Sequence, residues 1–131
     1  KSVIIKRTVW EDMINHCKQE LPFEACGLVS GNAGKCDDMW RMKNRKKSRH
    51  SFEISQKEID ETFRAIEAKG QTLTGIYHSH PTAAPYPSPH DITNNHYPHA
   101  AYFIISFLRS KPQVKCWRME NKNTIPVKIK V

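Results

Sequence analysis

The sequence predicts an α/β (α+β) protein in which a mixed β-sheet is flanked by helices. Hydrophobic residues make up 38% of the 131 residues and charged residues 26%, as is typical of a folded globular protein. Strand-like runs alternate with segments of helical periodicity, a pattern that indicates a mixed sheet. The most apolar run, residues 100–107, predicts the central strand. Since no linker, repeat or low-complexity segment divides the chain, we expect one domain over residues 1–131.

Seven segments have the β-branched or apolar character of strands, and turn or loop residues separate them. The segment 72–80 alternates only in part, and the segment 25–31 reads as a buried strand that ends at a glycine. The predicted strands span residues 2–7, 25–31, 36–44, 72–80, 100–107 and 113–119, and a last strand ends at Val131.

Three helices are predicted between these strands from their N-terminal signals. Thr8 with Glu11, and Ser55 with Glu58, each fit a capping box, in which a hydroxyl and a carboxylate three residues apart bind backbone N–H groups. The third helix is short and covers residues 88–95. Its first turn carries a proline and an acidic residue, which helix N-termini favour.

The chain has a formal net charge of +8, which favours an acidic partner: nucleic acid, a membrane surface or an acidic protein. The densest basic run is RMKNRKKSRH, residues 41–50, and it is typical of a solvated loop. It has no interleaved aromatic residues of the kind that stack on bases, and no nucleic-acid-binding motif accompanies it. The positive charge is therefore the one feature of the sequence that favours a nucleic-acid partner.

Compartment signals point to a cytoplasmic protein without a membrane partner. No apolar run approaches the roughly 20 residues that cross a bilayer, and the first residues lack the apolar core of a signal peptide. The cysteines form no C-x-x-C pair, so we expect reduced thiols and neither a disulfide framework nor a zinc ribbon. The four are Cys17, Cys26, Cys36 and Cys116.

A metal site is predicted at the end of the strand 72–80. His78 and His80 are two residues apart, so on a strand they point to the same side and offer two imidazoles to one point. Asp91, eleven residues later at the start of a helix, can fold back and add a carboxylate. This His-His-Asp set leaves one tetrahedral position open for water, which distinguishes a catalytic zinc from a structural one. The alternative is ordinary polar histidines and an aspartate that favours the helix dipole.

A catalytic zinc also needs a general base, and Glu24 is the candidate. It stands directly before the apolar strand 25–31, where a carboxylate is costly unless it has a purpose or lies at the rim. The alternative for Glu24 is a surface acid in a turn. Ser88 has a structural explanation as the N-cap of the short helix.

Together these residues resemble the pattern of the JAMM (MPN+) metallopeptidase family. That pattern has an upstream glutamate, then H-x-H, ten residues and an aspartate, with a serine three residues before the aspartate. The segment PFEACGL is also similar to the family's P-x-E-x-C-G-L region. The resemblance covers nearly the whole chain, and the joint motif is far more specific than its parts: Glu24, then His78-Ser79-His80-Pro81, then Ser88-Pro89-His90-Asp91.

The resemblance implies a fold and a set of roles. The fold would be the JAMM/MPN architecture, which is cytidine-deaminase-like, and the protein a zinc metallopeptidase. His78, His80 and Asp91 would bind one zinc ion per chain. Glu24 would act as general base on the attacking water and then protonate the leaving amine, and Ser88 would help to stabilise the oxyanion.

The resemblance also implies a substrate class. Family members cleave peptide or isopeptide bonds after the C-terminal glycine of ubiquitin or ubiquitin-like proteins. This chain has no long insertion, so it resembles the small stand-alone prokaryotic members. These act on sulfur-carrier proteins, which we favour, or in prokaryotic ubiquitin-like conjugation systems. Family members often pair through this domain, so the resemblance leaves a homodimer open.

Two alternatives from other functional classes stay open. A basic nucleic-acid- or protein-binding module with structural histidines predicts steep salt dependence of binding and no zinc. A metal-bound interaction subunit without turnover is disfavoured, because every ligand position of the motif is kept and Glu24 is present. The basic residues 41–50 would also suit an acidic ubiquitin-fold partner.

Overall fold

The structure is a computed structural model that describes residues 2–93 and 96–131. Its helices in these residues are α1 (Arg7–Glu20), α2 (Gln56–Ala68) and α3 (Pro89–Thr93). Its strands are β1 (Ser2–Ile4), β2 (Cys26–Gly31), β3 (Asp38–Met42), β4 (Thr72–His80), β5 (Ala101–Ser106), β6 (Gln113–Glu120) and β7 (Asn123–Lys130). The predicted strands are confirmed with small shifts at their ends.

The strands of the described residues form one sheet in the order β1-β7-β6-β5-β4-β2-β3. β1 is parallel to β7 and β4 is parallel to β5, whereas the other neighbours are antiparallel. β5, predicted as the central strand, is fourth of seven and buried at every position. The predicted mixed sheet with flanking helices is therefore confirmed.

The first helix begins earlier than its predicted capping signal. Lys6 is the N-cap of α1 and makes no side-chain capping bond, so the prediction of Thr8 as N-cap is wrong. The physical reason is the backbone ladder: the carbonyl of Lys6 already accepts from the N–H of Trp10 at 3.0 Å. Thr8 therefore lies inside the first turn, where its hydroxyl has no free N–H to cap.

The other two helices begin where the sequence predicts. Ser55 caps α2, because its hydroxyl oxygen accepts from the N–H of Glu58 at 3.1 Å. The capping box is only half formed, since the Glu58 carboxylate accepts from the backbone N–H of Lys43 instead. The predicted third helix is present as α3, and its last two predicted positions, 94 and 95, lie outside the described residues.

Two apolar cores lie on opposite faces of the sheet. One packs against α1 and contains Met13, Cys17 and Tyr77. The other contains strand residues of β2, β3, β4, β5 and β6, and it is covered by residues 52–54, by α3 and by the segment that follows α3. Because strand side chains alternate, Tyr77 and Ser79 of β4 face α1, and the two histidines of this strand end face the second core.

The glycine of the PFEACGL segment is explained by packing. A Cβ at Gly27 would lie 2.2 Å from the Tyr77 ring, so any other residue would displace that ring or the strand. The Tyr77 hydroxyl is hydrogen-bonded to Nδ1 of the buried His16 at 2.6 Å. Gly27 thus lets β2 pair closely with β4 beneath a large aromatic ring.

Two structural observations bear on the predictions about cysteines and membrane segments. All four cysteines are free and buried, as expected for reduced thiols. Within residues 2–93 and 96–131, each helix is too short or too polar to cross a bilayer.

Candidate active site

Antiparallel pairing of β2 with β4 brings Glu24 to the strand that carries His78 and His80. Cys26 near the start of β2 pairs with His78 near the end of β4. Continuing this register by two residues places Glu24 opposite His80. Residues opposite each other in an antiparallel pair share a face, so Glu24 lies on the same side as both histidines. The predicted base and the predicted ligands are therefore brought together.

Ser79, between the two histidines, fixes this alignment from the other face. Its backbone N–H donates to the carbonyl of Ala25 at 3.0 Å, and its hydroxyl oxygen accepts from the Ala25 N–H at 2.8 Å. Ser79 is fully buried and is also hydrogen-bonded to the thiol of Cys17. The sequence interpretation treated Ser79 only as the spacer of H-x-H. Strand alternation was the signal that it faces the core.

His78, His80 and Asp91 converge on one point. The two Nε2 atoms lie 3.1 Å apart, and Oδ2 of Asp91 lies 3.2 Å from His78 Nε2 and 3.1 Å from His80 Nε2. A tetrahedral zinc ion with bonds of about 2.0–2.1 Å sets its ligand atoms about 3.3–3.4 Å apart, so this triangle matches one face of such a site. It is the group of possible metal ligands found in the described part of the chain.

The imidazole orientations fit a metal ion. Nδ1 of His80 lies 2.8 Å from the carbonyl oxygen of Ala84. Because a carbonyl only accepts, Nδ1 carries a proton, and in the neutral imidazole the Nε2 lone pair therefore faces the triangle. His78 packs on the Phe52 ring with centroids 4.9 Å apart, and its Nδ1 is buried without a partner among the described residues. Two Nε2 atoms beside a carboxylate oxygen form a donor set that suits a divalent cation.

Ser88 orients the carboxylate of Asp91. The Ser88 N–H donates to Asp91 Oδ2 at 2.9 Å, and the Ser88 hydroxyl oxygen accepts from the Asp91 N–H at 3.1 Å. This reciprocal pair is a capping box at the start of α3, so the predicted structural role of Ser88 is confirmed. The hydroxyl proton is not used by the cap and can be donated elsewhere.

The proline-rich loop between β4 and α3 is anchored to the sheet. The Ser106 hydroxyl donates to the carbonyl of Ala83, and the Trp117 indole N–H donates to the carbonyl of Pro85 at 3.0 Å. His80 binds the carbonyl of Ala84 between these two points. These anchors hold α3, and with it Asp91, over the end of β4.

The ionisable groups of the site influence one another. Glu24 is 3% exposed, and burial raises the pKa of its carboxyl to about 8, with His80 acting to lower it and Asp91 to raise it. Burial also acts to raise the pKa of Asp91, but hydrogen bonds from the two histidines outweigh it and hold that pKa well below the ordinary value. Burial lowers the pKa of His80, yet its bond to Asp91 leaves it raised.

Asn44 holds the backbone of Glu24 in place. Its side chain is 7% exposed and forms four hydrogen bonds of 3.0–3.1 Å. Nδ2 donates to the carbonyls of Glu24 and Ser51, and Oδ1 accepts from the backbone N–H groups of Lys46 and Glu53. Sequence reasoning missed Asn44, because a single asparagine inside a basic run carries no signal of these distant partners.

Replacing Asn44 with alanine is expected to lower the free energy of unfolding by about 1–3 kcal/mol, because the carbonyl of Glu24 loses its partner in a buried place. Urea unfolding monitored by circular dichroism measures the change. Asn15→Ala is the matched control, since Asn15 is exposed on α1 and alanine favours helices. Equal losses in both variants would contradict a positioning role for Asn44.

A cleft of about 310 Å³ opens beside the triangle, and His78 and Asp91 line it. Its wall is mainly apolar, which gives room for a chain segment with apolar side chains next to the candidate metal ligands. His90 and His96 are exposed and also line the cleft. The apolar wall consists of Leu28, Phe52, Ile54, Ile59, Ile76, Tyr97 and Tyr102.

This arrangement of sheet, ligand triangle and buried glutamate belongs to a known class of domain. Residues 6–120 match the family model described as prokaryotic homologs of the JAB domain. The chain belongs to that family, and the resemblance to the JAMM/MPN class is confirmed. The single-domain assignment over residues 1–131 stays a prediction.

Two relatives cover most of the chain. The sequence is 28% identical over 106 residues to the CysO-cysteine peptidase of Mycobacterium tuberculosis, covering 79% of this chain and 73% of that protein. It is also 28% identical over 103 residues to the desampylase of Haloferax volcanii, covering 73% of this chain and 74% of that protein.

Solved structures agree with the fold. A Desulfitobacterium hafniense protein superposes with a TM-score of 0.86 at 26% identity, covering 98% of this chain and 91% of that one. A structure described as a JAMM metalloprotease-like zinc site in the proteasome and signalosome superposes with a TM-score of 0.62 at 15% identity, covering 100% of both chains. At that identity the likeness concerns the fold alone.

Proposed function

We propose that the chain is a zinc-dependent metallopeptidase that hydrolyses the peptide or isopeptide bond after the C-terminal glycine of a ubiquitin-like or sulfur-carrier protein. The observation that carries this proposal is the ligand triangle of His78, His80 and Asp91 on the same face as the buried Glu24. Membership of the JAB family and similarity to a CysO-cysteine peptidase and a desampylase support it.

His78, His80 and Asp91 would hold the zinc ion through two imidazole nitrogens and one carboxylate oxygen. Three protein ligands leave a fourth position open, as in catalytic zinc sites. When bound, zinc in such a site lowers the pKa of water and polarises a substrate carbonyl. The carbonyl of Ala84 and the backbone N–H of Ser88 orient two of the three ligands, a device common to metal sites.

Glu24 would move the proton. Its carboxyl would take a proton from the attacking water and deliver it to the leaving amine. Burial raises the pKa of this carboxyl to about 8, so the protonated form can persist between the two steps. A divalent cation at the triangle acts in the opposite direction, because positive charge favours the carboxylate and keeps the base ready.

Ser88 would donate a hydrogen bond to the oxygen of the scissile carbonyl as negative charge develops there. Its oxygen is occupied as acceptor from the Asp91 N–H, which fixes the hydroxyl and leaves its proton for the substrate. Preorganised donors of this kind stabilise the transition state more than the ground state.

For the substrate, we favour a sulfur-carrier protein of ubiquitin fold with an amino acid or short extension after its last glycine. A di-glycine tail is thin and extended, so it can enter a narrow cleft and align beside a strand. A conjugate of a prokaryotic ubiquitin-like protein is the second candidate, supported by the similarity to a desampylase. A cytoplasmic location is part of this proposal, since the four free cysteines suit a reducing compartment.

The zinc-loaded protein is expected to remove one amino acid placed after the Gly-Gly of a sulfur-carrier protein, because that bond would lie at the open metal position. Intact-mass spectrometry measures the product, and an isopeptide-linked conjugate of the same carrier tests the second candidate. A carrier in which valine replaces the last glycine is the matched substrate control. A chelator should abolish cleavage and added zinc should restore it.

Cleavage of neither substrate by protein that holds zinc would show the proposed substrate class to be wrong. Cleavage that persists after complete zinc removal would show the proposed metal chemistry to be wrong.

A further inference from the structure

We propose that the basic loop, residues 43–50, docks an acidic face on the folded body of the protein substrate. This inference rests on the proposed peptidase function and adds recognition of the folded domain to chemistry at its tail. The loop leaves the end of β3 and contains no acidic residue. It carries Lys43, Arg45, Lys46, Lys47, Arg49 and His50, all of them exposed.

Within residues 2–93 and 96–131, no carboxylate forms an ion pair with a side chain of the basic loop. Lys69 and Asp38 form an ion pair in the described part of the chain, but this pair lies away from the loop. The carboxylate of Glu58 accepts a hydrogen bond from the backbone N–H of Lys43 and not from its ammonium group. Five unpaired cations in eight residues repel one another, and a partner with a negative face relieves that repulsion.

The basic loop is tied to the catalytic base. The N–H of Glu24 donates to the carbonyl of Ser48 at 2.7 Å, in the middle of the loop. Asn44 closes the base of the loop and binds the carbonyl of Glu24 at 3.0 Å. Lys46 lines the same cleft as the metal ligand His78. A partner that rests on this loop is therefore held at a fixed position relative to the scissile bond, which is what directs a flexible tail into the cleft.

The surroundings of the loop favour a protein over nucleic acid. No Phe, Tyr or Trp lies within residues 43–50, so the loop lacks the large aromatic rings on which successive bases stack. The nearest aromatic in sequence, Phe52, is half-buried and packs on the ring of His78. The adjoining cleft has a mainly apolar wall, which suits a peptide tail and not a phosphate backbone.

The test compares a loop variant with a matched control of the same charge change. The loop variant is Arg45→Glu/Lys47→Glu/Arg49→Glu, which spares Lys46 because Lys46 lines the cleft. The control is Lys115→Glu/Lys128→Glu/Lys130→Glu, whose exposed lysines lie on β6 and β7 in the other half of the sheet.

The probes are an acidic sulfur-carrier protein of ubiquitin fold with one residue after Gly-Gly, and a peptide of its last residues. The loop variant should raise the KM for the carrier by about tenfold or more and leave the kcat/KM for the peptide unchanged. The control should change neither. Raising the salt concentration should raise the KM of the wild-type protein for the carrier and have little effect on the loop variant.

A second readout needs no turnover. Calorimetric titration with the processed carrier, which ends in Gly-Gly, should show binding to the wild-type protein that the loop variant loses and the control keeps. Docking therefore stays testable even if no substrate is cleaved. Equal losses for carrier and peptide would overturn the docking proposal. So would unchanged carrier binding in a loop variant that has lost affinity for a single-stranded oligonucleotide, because the loop would then serve nucleic acid.

Discussion

Replacement of both His78 and His80 with alanine is expected to lower the zinc content from about one ion per chain to below about 0.1, because a single carboxylate does not hold the metal. Peptidase activity should disappear with the zinc. Elemental analysis by mass spectrometry, on protein purified without a histidine tag, measures the effect. The loss follows from the triangle of 3.1–3.2 Å that these two imidazoles form with Asp91.

The matched control removes two imidazoles from the surface. His50→Ala/His99→Ala should keep the full zinc content, because both side chains are exposed and lie outside the triangle. Asp91→Asn is a second test that nearly preserves volume and should weaken zinc binding without opening a cavity. Zinc retained by the His78→Ala/His80→Ala variant would place the ion elsewhere. If the wild-type protein takes up no zinc, the basic nucleic-acid- or protein-binding module becomes the better explanation of the function.

Metal binding should also be visible as stability. A ligand that binds only the folded state at 100 times its dissociation constant adds about 2.7 kcal/mol to the free energy of unfolding. Zinc should therefore raise the melting temperature of the wild-type protein and of the surface-histidine control. It should leave the His78→Ala/His80→Ala variant unchanged, which separates loss of the site from loss of the fold.

The convergence of the three candidate metal ligands could be predicted from the sequence because their geometry is local. His78 and His80 share a side by strand alternation, and both lie on β4 as predicted. Asp91 belongs to the helix start at which Ser88 is predicted as N-cap, and in the structure the two residues form a reciprocal capping pair. Over such short separations, backbone geometry alone restricts where a side chain can point.

The contacts that hold the site in place could not be predicted, because they depend on pairing between distant segments. Glu24 reaches His80 only through the register of β2 against β4, which no single segment determines. Asn44 acts through partners on both sides of a loop, and Ser79 acts through a strand more than fifty residues away. The wrong N-cap at Thr8 has the same origin, since the N–H of Lys6 donates to the carbonyl of the distant Cys36 at 3.1 Å and the helix starts directly after it. A homodimer likewise stays a prediction.

Replacement of Glu24 with glutamine is expected to keep the zinc and lower kcat by a factor of about 10² to 10⁴, because the amide cannot take the proton from water. Glutamine has nearly the same shape, so KM should change little if the side chain serves chemistry and not binding. Steady-state kinetics on the carrier substrate measure both constants. Glu20→Gln is the matched control: the same chemical change at an exposed position at the end of α1 should leave kcat unaltered.

The same variant separates a catalytic carboxylate from a merely buried one. Burial raises the pKa of Glu24 from 4.5 to about 8, so the folded state holds a proton that the unfolded state releases between these values. Without metal, the wild-type protein should thus lose stability as the pH rises from about 4.5 to 8, and glutamine should remove that loss. A chelated Glu24→Gln protein that is stable at pH 8 but inactive with zinc would show that this carboxylate is kept for chemistry at a cost to folding. Full activity in this variant would place the general base on another residue.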